Sequence, residues 1–228
     1  MEIIRQFVNF IFYKVDRAWF ELEVSVREEA RKEFQKIAEA FKPLLILKTY
    51  STRGLRADSD FFFWRICETL EPFEEMSAAL ASTKLGRHLE TSLSFLSMTK
   101  RSMYVDKHVH EGQESRRTHI VPGEAKYLFI YPFVKTRQWY LLSKGERQAM
   151  MDEHIRIGHQ FPSVKLNTTY SFGLDDQDFV VAFESDKPAD FLDLVMELRE
   201  TKSSLYTQRD TPIITGIQKT LQEILTGL

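Results

Sequence analysis

Apolar and polar positions follow two rhythms along this chain, one of period two and one of helical period. Residues 7–13 form an aromatic and β-branched run, which predicts a strand. Behind it Ala30, Phe34, Ile37, Ala38 and Phe41 recur at helical spacing with charges between them. Ser25 and Glu28 have the spacing of a capping box at the start of that helix, and Pro43 is expected to end it. Residues 44–52 and 58–66 read as two strands of a hairpin turned at Gly54, followed by a helix over 71–80 with Pro72 in its first turn and a strand over 91–98. The order β-α-β-β-α-β is that of a ferredoxin-like unit.

Residues 101–123 break the rhythm. They are polar, basic and rich in histidine, and Pro122-Gly123 closes them, so a long connecting loop is expected there. The pattern then repeats: a strand over 126–135, a helix to about Gly158 opened by the capping box Ser143-x-x-Glu146, a hairpin over 164–184 turned at Gly173, a helix over 189–199, a strand over 205–215, and a short helix over 217–225. The two hairpins, YSTRGLRADSDFFF and YSFGLDDQDFVV, share Tyr-Ser, Gly-Leu and Asp-Phe. Repetition of one element order predicts an α+β chain of two fused ferredoxin-like halves, 1–105 and 126–228, joined by a linker over 106–125. Each half leaves one sheet face uncovered by helix, so fusing two of them is a sensible way to bury both.

Composition narrows the function. Of 228 residues, 31 are Lys or Arg and 33 are Asp or Glu, so the chain lacks the basic excess of a nucleic-acid binder. Its one cysteine, Cys67, excludes a disulfide framework and any multi-cysteine metal site. The start has an acid at position two and an interrupted apolar run, unlike a signal peptide, and no run reaches membrane-spanning length, so a cytoplasmic protein is expected. Eighteen phenylalanines suit a wide apolar pocket, and a large core equally. There is no Walker loop, no GxGxxG after a strand, no GxSxG and no zinc spacing.

Three candidate groups remain. His154 sits among Met150, Met151, Ile155 and Ile157 on the second long helix. Such a histidine is more often a packed core residue; its functional reading is axial ligation of haem iron by neutral imidazole, where the macrocycle supplies the other ligands. Tyr131 and Lys135 lie four apart on a strand and therefore share a face. They read either as a strand tyrosine with a solvated lysine, or as a phenol beside an oxidising centre with a cation for substrate carboxylates. Trp139 is a packed indole or a carrier of oxidising equivalents. The loop residues Lys107, His108, His110, Arg116, Arg117 and His119 read as a solvated loop, or as a flap that supplies cations to an anionic ligand.

Three stretches carry a resemblance: TRGLRADSDFFFWR, YPFVKTRQWYLLSKGERQAMMDEH and YSFGLDDQDFVVAFE. In this order they resemble the chlorite dismutase and coproheme decarboxylase superfamily, over roughly residues 42–217. The resemblance implies two fused ferredoxin-like halves in a dimeric α+β barrel, haem in the C-terminal half, and a homopentamer. It places the proximal iron ligand on His154. Chlorite dismutases carry Asn-Val-Lys-Arg where this chain has Ser163-Val164-Lys165-Leu166, and they tend to carry Trp-Trp where it has Trp139-Tyr140. Leu166 therefore stands where a chlorite enzyme has its distal arginine, and it also differs from the glutamine of monoderm decarboxylases. Tyr131 before Pro132 resembles the radical tyrosine of coproheme decarboxylases, and the whole strand looks most like the actinobacterial type. In that type a distal histidine acts toward peroxide; the matching residue here is His119, although the loop length departs from the pattern.

The resemblance implies peroxide-dependent decarboxylation of iron coproporphyrin III to haem b. Tyr131 is then the radical site, Trp139 an auxiliary one, and Lys135, Arg117 and Tyr104 hold propionates. The alternatives are a chlorite-decomposing haem enzyme and a non-catalytic haem-binding protein.

Overall fold

The computed structural model describes residues 4–102, 104 and 119–228. Along the chain run β1 (Phe7–Val15), α1 (Val24–Ala40), β2 (Ile46–Ser51), β3 (Phe61–Cys67), α2 (Glu71–Ser82) and β4 (Leu89–Met98). Then come β5 (Tyr127–Lys135), α3 (Arg137–Leu141), α4 (Lys144–Gly158), β6 (Lys165–Tyr170), β7 (Phe179–Ser185) and α5 (Pro188–Arg199). The chain ends with β8 (Thr207–Arg209), β9 (Ile214–Gln218) and α6 (Leu221–Thr226). Two compact units result: Gln6–Leu96 with Thr215–Leu228, and Ser97–Ile214.

In the N-terminal unit β3 lies between β1 and β2, antiparallel to both, and β2 also pairs with β9 at Tyr50 and Ser51. A strand with neighbours on both sides and apolar side chains on both faces should be wholly buried, and all seven residues of β3 are. Helix α1 adds Ala30, Phe34 and Ala38 to this core, each about one turn from the next. Trp19, in a 3-10 turn after β1, is fully buried and donates its indole N–H to the Leu228 carbonyl at 3.1 Å.

In the C-terminal unit β7 lies between β5 and β6, and β6 meets the end of β4 through Met98 and Tyr170. Phe129 and Tyr131 on β5, and Val181 and Phe183 on β7, form one apolar face against Phe191 and Leu194 of α5. Helix α4 starts as expected: Ser143 accepts the Glu146 N–H while the Glu146 carboxylate accepts the Ser143 N–H.

Four local expectations change. Helix α1 begins at Val24 with Glu23 as its N-cap and without a side-chain cap, so Ser25 and Glu28 lie inside it and form no capping box. The expected strand over 205–215 is a 3-10 turn (Lys202–Tyr206) followed by the separate strands β8 and β9. Pro212 lies between them and has no N–H for a ladder. Ile217 belongs to β9, and the last helix starts four residues later, capped by Thr220 and Glu223. Helix α3 was not expected as an element of its own.

Candidate functional site

The register of the C-terminal sheet decides which side chains can act together. Tyr131 pairs with Val181, and Val181 with Thr168; Phe129 pairs with Phe183, and Phe183 with Leu166. Tyr131, Val181, Phe183, Thr168 and Leu166 therefore share one face. Tyr131 is buried there, while Leu166 is 49% exposed. Burial raises the Tyr131 pKa; the Asp210 charge raises it further and Arg199 opposes it, so the phenol keeps its proton.

Lys135 ends the same strand on the same side. Its ammonium donates to the Ser203 carbonyl at 2.7 Å and stands 4.6 Å from the centre of the Trp139 ring and 5.1 Å from that of Phe133. Only 8% of Lys135 is exposed, and burial lowers its pKa to about 8. The Lys135 backbone N–H is fixed by Asp178 at 2.8 Å, and that same carboxylate oxygen accepts the Tyr140 hydroxyl at 2.6 Å. Thr136 bonds back to the Tyr206 carbonyl, which aligns α3 with the turn carrying Ser203.

His154 projects from α4 toward this turn, its Nδ1 3.4 Å from the Ser203 hydroxyl. Burial, followed by the Lys135 charge, lowers the imidazole pKa to about 4, against a smaller pull from Glu153. The ring is neutral at pH 7, the form that binds metal. Among the described residues no three His, Cys, Asp or Glu gather as a metal cage.

Helix α4 differs from the helices around it: none of its 15 residues is fully buried, although Met150, Met151, Ile155 and Ile157 are apolar and half-buried. The equivalent helix α1 buries three side chains. The equivalence rests on matched detail. Arg17-Ala18-Trp19-Phe20 after β1 corresponds to Arg137-Gln138-Trp139-Tyr140 after β5. Val15 N–H meets Asp60 at 2.9 Å just as Lys135 N–H meets Asp178 at 2.8 Å. Gly54 and Gly173 turn the two hairpins with φ of 77° and 74°. In this correspondence Phe34 stands for His154 and Val15 for Lys135. In the N-terminal unit a cavity of about 70 Å³ lies beside Phe34, far below the roughly 300–1,000 Å³ of ligand pockets.

The remaining expected residues lie at the ends of the linker. The Tyr104 carbonyl accepts from Gln148 of α4 at 3.0 Å, and the Tyr104 ring stands 6.5 Å from Trp139. Arg117, with Lys107, His108, His110 and Arg116, lies outside the described residues. His119 is exposed. The segment after it is tied down by Glu184, a buried carboxylate that accepts from Gly123 N–H, from Asn167 at 2.9 Å and from Lys165 at 3.0 Å. Thus Tyr104, Lys135, Trp139 and His154 come together around one turn, and Tyr131 and Leu166 share one sheet face. Ser203 and Asp178 are the members that sequence reasoning missed. For Asp178 a signal existed, since Asp60 and Asp178 match within the repeated hairpins.

Comparison with known proteins gives a consistent result. The family model for chlorite dismutase matches residues 5–219. Over 193 residues the chain is 30% identical to a coproheme decarboxylase of Mycolicibacterium smegmatis, covering 82% of this chain and 79% of that protein. It is 26% identical over 229 residues to a chlorite dismutase of Ideonella dechloratans, covering 97% and 79%. Among solved structures, a mutant chlorite dismutase of Candidatus Nitrospira defluvii superposes with a TM-score of 0.89 at 26% identity, covering 97% of this chain and 94% of that one.

Proposed function

Since the chain belongs to the chlorite dismutase family, we propose that it is a haem enzyme, and specifically a peroxide-dependent coproheme decarboxylase. The observation that carries this reading is the pairing of a buried phenol, Tyr131, with a leucine, Leu166, on one sheet face. That face offers a hydrogen atom donor, and no guanidinium stands at position 166 to hold an oxychlorine anion. The relative in M. smegmatis is itself a coproheme decarboxylase.

The residues fit an iron porphyrin. Helix α4 presents half-buried apolar side chains and a neutral imidazole, which a flat macrocycle could cover. His154 would hold the iron. Lys135, with one of three donors given to Ser203, and Tyr104 and Arg117 would hold propionates. When bound, iron coproporphyrin supplies the centre at which hydrogen peroxide is reduced. His119 would move a proton at the peroxide. Tyr131 gives up an electron together with its phenolic proton, and the tyrosyl then takes hydrogen from a propionate. For each propionate the balance is one carboxylate, one peroxide and one proton converted to a vinyl group, carbon dioxide and two waters. Two propionates react to give haem b. Trp139 would be an auxiliary radical site, disfavoured while the Lys135 ammonium faces its ring.

The test is turnover. Purified protein with iron coproporphyrin III and titrated peroxide should lose two carboxyl groups by mass spectrometry. Unchanged porphyrin mass with rapid oxygen release from chlorite would instead make it a chlorite-decomposing enzyme. Tight porphyrin binding with neither reaction would make it a haem-binding protein.

A further inference from the structure

The turn after α5 contains a hydrogen-bond chain whose direction can be read from its end. The Thr201 hydroxyl donates to the Leu198 carbonyl at 2.7 Å. A hydroxyl has one proton, so toward Ser203, 3.0 Å away, Thr201 must accept. Ser203 therefore donates to Thr201, and its oxygen keeps only lone pairs for its other neighbour. That neighbour is His154 Nδ1 at 3.4 Å. The contact is satisfied only if Nδ1 carries the proton, which leaves the lone pair on Nε2.

The chain is held in place from several sides. Thr201 and Ser203 are each 2% exposed, so bulk water has little access to either hydroxyl. Lys135 donates to the Ser203 carbonyl, and Glu153, the residue before His154, accepts the Lys202 N–H at 3.1 Å. The turn is thus anchored to β5 on one side and to α4 on the other.

We propose that Ser203, backed by Thr201 and the Leu198 carbonyl, is a positioning residue that fixes His154 as its Nδ1–H tautomer and so directs Nε2 to the iron. The proposal rests on the reading of His154 as the iron ligand only for its last clause; the tautomer itself belongs to the metal-free protein. Outer partners of this kind set both the orientation and the basicity of a histidine ligand. A hydroxyl acceptor polarises Nδ1–H less than a carboxylate would, so this imidazole should be a weakly donating ligand.

The experiment is long-range proton–nitrogen correlation on the apoprotein labelled with nitrogen-15 at histidine, at pH 7. His154 should show a protonated Nδ1 and an unprotonated Nε2. Ser203→Ala should shift the ring toward the Nε2–H form, and Ser203→Thr should restore the original. Thr201→Val supplies a sharper arm, because it keeps Ser203 but removes the acceptor of its proton. Ser203 can then donate to Nδ1, and the tautomer should shift toward Nε2–H. An Nε2–H ring in the wild type, or a ring unmoved by Ser203→Ala and Thr201→Val alike, overturns the proposal. If Ser203→Ala does not fold, the wild type and Thr201→Val still decide it. In the haem-loaded protein Ser203→Asp should shift the ferric–ferrous potential to more negative values. Should the apoprotein tautomer hold while loaded haem lacks a histidine ligand, the iron-binding reading fails and the tautomer relay stands.

Discussion

Phe34 and His154 occupy the same position in the two copies of one repeated unit. Phe34 is fully buried on α1 and packs against Phe63 with ring centres 6.4 Å apart. His154 on α4 has Ser203 and the Lys135 charge beside it instead. One copy has filled its helix–sheet interface with a phenyl ring, and the other has left it to a polar residue on a helix that buries nothing fully. Phe34→Ala should therefore cost the large-to-small penalty of a packed core, about 3–5 kcal/mol. His154→Ala in the metal-free protein should cost far less. Denaturant unfolding of both variants checks this, and similar losses would contradict the division of labour between the two helices.

The depressed His154 pKa has a consequence for stability. The unfolded chain binds a proton at His154 below about pH 6.5, whereas the folded chain does so only below about 4. Between these values the unfolded state holds more protons, so stability of the apoprotein falls as the pH drops from 6.5 toward 4. The contribution is up to about 3 kcal/mol. His154→Ala should flatten this part of the wild-type curve. Ligand binding through Nε2 should lose little to proton competition down to about pH 5, as a spectroscopic titration would show.

Gly123 offers a test of the linker's far end. A Cβ there would lie 2.8 Å from Glu184 Oε2, and the other oxygen of that carboxylate, Oε1, is held by Asn167 and Lys165, so the group cannot retreat freely. Gly123→Ala should destabilise the chain by about 1–3 kcal/mol through overpacking. Amide exchange should rise in residues 119–125 first, because the Gly123–Glu184 bond secures that segment.

The parts of this fold that were legible in the sequence are those set by local chemistry. Gly54 and Gly173 mark the hairpins because each adopts positive φ, and Ser143 with Glu146 marks the start of α4. Ser25 with Glu28 has the same spacing, yet α1 starts earlier, because the Arg27 N–H already closes a turn on the Glu23 carbonyl at 3.1 Å. Ser203 could not be found from spacing. It lies in a 3-10 turn far along the chain from His154, and only the packing of α4 against that turn brings the two together. The Arg-x-Trp-aromatic match at Trp19 and Trp139 was legible, and it would have extended the repeat from the hairpins back to the first helix of each half.

Tyr131→Phe separates binding from chemistry. The ring stays packed against Phe183, with centres 5.9 Å apart, and only the hydroxyl is lost. Porphyrin affinity should remain near wild type, while decarboxylation should fall at least about a hundredfold, equal to roughly 2.7 kcal/mol of barrier. Near wild-type turnover would remove Tyr131 from the mechanism.

Lys135 decides whether Trp139 competes with Tyr131. An ammonium 4.6 Å from the ring centre opposes removal of an electron from that ring, by roughly 3–4 kcal/mol at an effective dielectric of about 20. Tyr131 loses its proton with its electron and forms a neutral radical, so it avoids most of this penalty. Lys135→Met should then redirect oxidation: after peroxide treatment of the loaded protein, the peptide containing Trp139 should gain oxygen several-fold more than in the wild type. The wild type should drift the same way above about pH 8, where Lys135 becomes neutral, and the variant should show no such pH dependence. Trp19 is also buried but lies in the other unit, where the cation over its ring is Arg31 at 5.8 Å, so its oxidation should be the same in both proteins and serves as the internal control. Equal Trp139 oxidation in wild type and variant at pH 7 would mean that the lysine charge does not steer the oxidising equivalents.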